Sequence, residues 1–266
     1  MFEVGLKLWS TNTDHYLHEA ERLYVKGVFD YIELFVVPDS VSTLNDWVRL
    51  HAERGLPFII HNAHSATGFN LADAGCAARN REIYAQTKSF ADVLEAKHII
   101  FHGGVDGTVD EVVRQLSSFG EPRAIIENKP YIPLPSPQNR KVCRGATYDE
   151  LKYMLSAIGC GFCLDIGHAV CAANSQGLEP YAYIEKLNTF KPVIYHLSDV
   201  VDMASQYDAH PHLGTGRLDI ERLCSCVFPV GAKISVETVK DSKRFLDDFS
   251  ADVRLLLMAN QSARVL

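Results

Sequence analysis

Eight short apolar runs, separated by loops and stretches of helical period, constrain this chain of 266 residues more than any other feature. They fall at 4–10, 31–37, 58–62, 98–104, 124–128, 161–167, 193–197 and 233–238. The runs are near-continuous rather than alternating, as strands covered on both faces are, which points to a parallel sheet wrapped by helices. The stretches 14–27, 44–55, 77–96, 108–120 and 147–159 repeat apolar residues at helical spacing. Several open on Asp, Ser or Thr and end in Gly, the expected capping asymmetry. A weaker helical pattern covers 221–227, and a long one at 243–260 closes the chain. Strand and helix alternating in this way over this length predict a (β/α)8 TIM barrel, with 1–266 as a single domain.

Apolar content of 47% with 22% charged residues is that of a globular protein. No apolar run approaches the roughly 20 residues of a membrane span, and the opening MFEVGLKLWS has neither a basic nor a cleavable hydrophobic segment, so a cytoplasmic protein is expected. The seven cysteines, at 76, 143, 160, 163, 171, 224 and 226, show no disulfide rhythm and are read as reduced thiols. A net charge of −7 argues against a broad non-specific nucleic-acid surface.

In a parallel barrel the C-terminal strand ends share one face, so donors far apart in sequence converge there. His61, His102, Glu127, Asp165, His196 and Glu237 stand at the ends of the third to eighth runs. His168 follows Asp165 by three residues, and the loop after the seventh run adds Asp208 and His210. Taken singly, each is more often a hydrogen-bonded rim residue than a ligand. Together, five His and four carboxylates are too many for one tetrahedral ion and suit two or three divalent ions sharing a bridging carboxylate. The donor types favour Zn2+, with Mn2+ or Fe as alternatives. His15, His18, His51 and His98 fall in helices or at a strand start and are read as structural.

Secondary candidates surround this set. Lys7 and Trp9 alternate on the first strand, where Lys7 is placed to meet an anionic substrate or to snorkel from the barrel end. Asp199, three residues after His196, is read as an acceptor orienting a ligating imidazole. His64 and His212 adjoin the cluster as supporting or substrate-facing groups. The Pro-rich loop 129–145 carries Lys129, Arg140 and Arg144 as phosphate-neutralising candidates, or else is a solvated excursion.

These residues stand in motifs: HGG at 102–104, EN at 127–128, LDIGH at 164–168, HLSD at 196–199, DAHPHLGTG at 208–216 and SVE at 235–237. On them the chain resembles the xylose isomerase-like TIM barrels and, among these, the endonuclease IV family of apurinic/apyrimidinic endonucleases. That resemblance implies three zinc ions: one on His61, His102 and Glu127, a second sharing Glu127 with Asp165, His196 and Glu237, and a third on His168, Asp208 and His210. His64 competes with His61 for its place. The resemblance implies a metal-dependent hydrolase in which Glu127, Glu237 and Asp165 are the catalytic carboxylates and a phosphodiester, including the abasic site of DNA, is the substrate. DNA-inserting side chains are sparse, since the loop after the second strand lacks basic and aromatic residues and the loop after the third offers only Phe69 as a wedge. The competing reading is a sugar or sugar-phosphate isomerase or epimerase holding one divalent ion on Glu127, Asp165, His196 and Glu237, with Glu127 or Glu237 moving a proton. A third is a non-enzymatic binding protein on the same barrel.

Overall fold

The computed structural model describes residues 1–133 and 141–263. Eight parallel strands close a barrel in chain order: β1 (Glu3–Trp9), β2 (Tyr31–Phe35), β3 (Phe58–His61), β4 (Ile99–His102), β5 (Ala124–Glu127), β6 (Gly161–Asp165), β7 (Ile194–Leu197) and β8 (Lys233–Val236). The helices are α1 (His15–Val25), α2 (Leu44–Arg54), α3 (Ala77–Val93), α4 (Val109–Phe119), α5 (Tyr148–Ile158), α6 (Ile166–Ser175), α7 (Pro180–Asn188), α8 (Ile220–Cys226) and α9 (Asp247–Ala263). The predicted (β/α)8 barrel is what the chain forms, with every strand except β7 ending before its apolar run does.

Two cores follow from the period-2 alternation of side chains along each strand. The larger lies between strands and helices. The smaller is a separate buried cluster of Tyr31, Ile59, Ile100, Ile125, Cys163 and Ile194, one residue from each of β2 to β7, filling the barrel interior. Gly5 and Ser235 complete it on β1 and β8: a Cβ on Gly5 would come 2.4 Å from the Tyr31 ring, and the Tyr31 hydroxyl lies 3.0 Å from Ser235 Oγ. Two residues further along each strand the next inward side chain is, in order, Lys7, Glu33, His61, His102, Glu127, Asp165, His196 and Glu237. An apolar plug thus carries a polar layer directly above it. Strand register then makes neighbours of Lys7 and Glu33, of His102 and Glu127, and of Asp165 and His196.

Helices α4 and α5 start where Thr108 and Thr147 accept the amides of Glu111 and Glu150, and stop at Gly120 and Gly159 in the left-handed region. The sequence pattern did not reveal α6 or α7. Ile166 to Ala173 are all buried, so α6 has no polar face and its sequence shows no amphipathic period. Asp165 both ends β6 and caps α6, its Oδ1 accepting the His168 amide at 2.6 Å.

Candidate metal centre

Glu127 is the hub. Its Oε2 lies 2.9 Å from His61 Nε2 and 2.8 Å from His102 Nε2. His61 Nδ1 lies 2.8 Å from the Asn62 carbonyl, to which it donates, so Nε2 presents a lone pair. On the other side, His196 Nδ1 faces Glu237 Oε1 at 3.1 Å, Glu127 Oε2 at 3.6 Å and Asp165 Oδ2 at 3.8 Å. A third group gathers at Asp208 Oδ2, 2.8 Å from His210 Nε2 and 3.3 Å from His168 Nε2. His168 Nδ1 is 2.9 Å from Glu127 Oε1 and 3.0 Å from the Asn128 carbonyl, tying this group to the hub. All nine sequence-predicted donors are therefore brought together, in four groups, one of which joins Glu33 to His61, His196 and Glu237.

A bound cation fits these residues on two observations. His196 Nδ1 and Asp208 Oδ2 are buried and have no hydrogen-bond partner among the described residues, although ligand-type atoms surround both. Buried polar atoms without partners are rare, and each of these two lies within its own group of possible ligand atoms. The five buried or largely buried carboxylates Glu33, Glu127, Asp165, Asp208 and Glu237 form ion pairs with two lysines among the described residues, Lys7 and Lys129, and otherwise pair only with imidazoles, so a divalent cation would take over charge balance that protonated His168, His196 and His210 otherwise supply.

The local field is strong. Burial alone would raise the Glu127 carboxyl, but His102, Lys129 and His196 outweigh it and hold it well below the usual carboxylate range. Asp165 is pushed up to about 6 by burial, against the pull of His168 and with Asp208, Glu127 and Glu237 adding to the rise. Burial disfavours His168 as a cation, yet the carboxylates of Asp165, Asp208 and Glu127 push it up to about 10. His210 sits at φ 48°, in the left-handed region, where its amide reaches Asp208 Oδ1 and its carbonyl accepts from the Val239 amide.

Glu33 was missed from the sequence. It is fully buried on β2, and its Oε2 lies 2.9 Å from His196 Nε2. It also accepts from Ser235 and from Lys7, which bridges it to Glu237. An imidazole with a carboxylate behind one nitrogen and a free lone pair on the other is the arrangement that fixes a ligating tautomer. The signal was available: a lone acid inside an apolar strand, in register with the lysine of β1.

Other expectations are corrected. Asp199 does not orient an imidazole; its Oδ2 accepts the amides of Gly214 and Gly216 and its Oδ1 those of Val200 and Leu218, so it folds the loop after β7. His212 turns to α9, with Nδ1 2.9 Å from Asp252 Oδ2, because that buried carboxylate also anchors the Leu213 amide and Thr238. His64 stands beside the centre rather than replacing His61: its ring stacks on His102 at 5.9 Å, and Nδ1 accepts the Ala66 amide. Burial, Lys129 and His61 push it down to about 4. Phe69 is buried against Phe101 and cannot be a wedge. Arg144 holds Glu150 and the carbonyls of Asp106 and Gly107, building the loop instead of facing substrate. Arg140 lies outside the described residues. Lys129 Nζ is 3.8 Å from Glu127 Oε1 and 3.4 Å from His168 Nε2, at the centre's edge.

Above the centre opens a cavity of about 490 Å3 lined by His61, His102, Glu127, His168, His210 and Glu237 among others. A family model described as xylose isomerase-like TIM barrel matches residues 26–255. The chain belongs to the xylose isomerase-like TIM barrel family. Within this family it is 26% identical over 224 residues to a Mycobacterium leprae protein named "Probable endonuclease 4", covering 81% of this chain and 87% of that one. Among solved structures, a D-tagatose 3-epimerase-like protein superposes with a TM-score of 0.71 at 18% identity, over 97% of this chain and 98% of that one. A Thermus thermophilus protein soaked with zinc chloride gives 0.66 at 18% identity, over 98% and 99% of the two chains. These two likenesses concern the fold. Members of this family are enzymes.

Proposed function

We propose that this member of the xylose isomerase-like TIM barrel family is a metal-dependent hydrolase of phosphodiesters, acting on a substrate small enough to enter the rim cavity. One observation carries the reading: the third donor group, His168, Asp208 and His210, is as complete as the two that meet at Glu127. A one-ion isomerase has no use for it. Sequence similarity to a probable endonuclease 4 supports the same choice, whereas a cavity of about 490 Å3 is of a size for a small ester rather than duplex DNA.

His61, His102 and Glu127 would hold one ion, Glu127, Asp165, His196 and Glu237 a second, and His168, Asp208 and His210 a third, with zinc best matched to the donors. Divalent ions there supply Lewis acidity, making water more acidic and neutralising phosphoryl charge. The chain's own groups do the rest. Glu33 holds the His196 proton on Nε2, and Lys7 fixes Glu237 from behind. Lys129, lining the cavity beside His168, is placed to donate to a non-bridging phosphoryl oxygen as charge develops there. His64, held neutral near pH 7 by its depressed pKa, offers an uncharged imidazole at the mouth.

Elemental analysis of protein purified without added metal, paired with turnover of bis(p-nitrophenyl) phosphate and of abasic-site duplex DNA, tests this reading. About three metal ions per chain with cleavage of the small ester is the expected result. Cleavage of the duplex alone would make the chain a DNA repair nuclease. One ion, with epimerisation of a ketose and no ester cleavage, would replace the hydrolase by the isomerase.

A further inference from the structure

The donor groups occupy the ends of β3 to β8 and the loops after β6 and β7, but the cavity reaches further, across the seam between β8 and β1. There its wall is made of Trp9, Asn12 and Tyr16 from the end of β1 and beyond, and Thr238, Val239 and Lys240 after β8. None of these is accounted for by metal binding. Trp9 is 50% exposed although it faces a cavity, and its ring packs at 5.4 Å on Phe35, itself 5.1 Å from His64. An indole supported from behind and open in front is a platform for a flat or cyclic apolar face.

Lys240 is the second unexplained group. The cavity's other lysines meet carboxylates, Lys7 touching Glu33 and Glu237 and Lys129 approaching Glu127. Lys240 has no carboxylate oxygen within ion-pair distance among the described residues; its Nζ donates to the Thr238 carbonyl at 2.7 Å. Burial lowers its pKa, and Asp248, Asp252 and Glu237 support its charge from beyond ion-pair distance; an ammonium whose one hydrogen bond among the described residues goes to a neutral carbonyl retains donors for a ligand.

We infer that this wall is a second substrate subsite, which takes a compound with a ring seated on Trp9 and a further anionic group, carboxylate or phosphate, paired with Lys240. The inference rests on the proposed phosphoryl site only for where the first anionic group lies. It deepens that proposal by making the substrate a small ring-containing diacid instead of a polymer.

The test compares phenyl phosphate with 4-carboxyphenyl phosphate, which differ by one carboxylate, by calorimetry and by tryptophan fluorescence on the metal-replete protein. The carboxylated probe should bind roughly tenfold more tightly. Lys240→Met should erase that preference while leaving phenyl phosphate nearly unchanged. Both probes should perturb the emission, and Trp9→Phe should remove the perturbation, since Trp47 is fully buried. Trp9→Ala should weaken both probes about equally. Equal affinities in the wild type, or a preference that survives Lys240→Met, overturn the subsite whatever the protein hydrolyses. A preference erased by Lys240→Met in a protein that cleaves no phosphodiester keeps the subsite and removes the hydrolase.

Discussion

At the scale of single residues, the centre depends on groups that touch no ligand as much as on those that do. Glu33→Gln keeps a side chain of the same shape behind His196 but removes the charge that makes its imidazole basic and that balances Lys7. Metal affinity at the group shared by Glu127, Asp165, His196 and Glu237 should fall about ten- to a hundredfold, read by competition with a chromophoric chelator, while the His168, Asp208 and His210 group is unaffected. An unchanged titration in a folded variant would show that Glu33 only neutralises Lys7. Because Glu127 joins two groups, Glu127→Gln should release two ions, whereas His168→Ala should release one; loss of a single ion from each variant would deny the bridge. The nine donors were legible because polar residues at the ends of apolar strands are costly without a purpose. Glu33 was not, because it lies within a strand instead of at its end, and only the two-residue offset above the Tyr31 layer reveals which way it points. His212 misled for the opposite reason: its position in the DAHPHLGTG motif is adjacent to ligands in sequence, but the partner that claims it, Asp252, is 40 residues away on α9.

At the scale of elements, the loop after β7 carries two donors on an irregular backbone, and a buried acid holds it in shape. Asp199→Ala would strip the acceptor from four amides, at a cost of about 2–4 kcal/mol, and should loosen the third ion while the His61, His102 and Glu127 group keeps its own; metal retention during dialysis measures both. Gly216→Ala should act the same way, since a Cβ there would lie 2.1 Å from the Val200 carbonyl. The turn into β5 gives an effect on pH dependence. Burial would raise the Glu121 carboxyl, but hydrogen bonds from Arg123 and Tyr84 outweigh it and set its folded pKa below 4.5. Its stabilisation is therefore complete above that value and lost as pH falls through the folded pKa. Urea midpoints of the wild type and Glu121→Gln should differ at pH 7 and draw together as pH falls through the depressed folded pKa; a constant gap would remove the ion pair as its cause. The barrel was readable from its alternating apolar runs, but α6 was not, because a helix buried on every side carries no period.

At the scale of the whole molecule, the barrel brings eight strand ends into one ring, and so concentrates carboxylates where the fold itself gains nothing from them. Without cations, mutual repulsion among Glu127, Asp165, Asp208 and Glu237 opposes folding; Asp165, pushed up to about 6, shows how strongly the neighbouring acids and burial resist its ionisation. Any ion that binds the folded barrel and not the unfolded chain shifts the equilibrium by mass action, by about 2.7 kcal/mol per site at a hundredfold excess over Kd. For a domain of this size that corresponds to a rise in Tm of roughly 5 to 10 °C for each group filled. Protein stripped with a chelator should therefore melt well below the zinc-loaded form, and a zinc titration should recover the difference in steps. Glu127→Gln should recover only the share belonging to His168, Asp208 and His210. A single step in the wild type would mean that one ion is held and that the remaining donors serve each other. No step would mean that the lone pairs on His196 and Asp208 are satisfied by protons or water, and the hydrolase would fall with the metal centre.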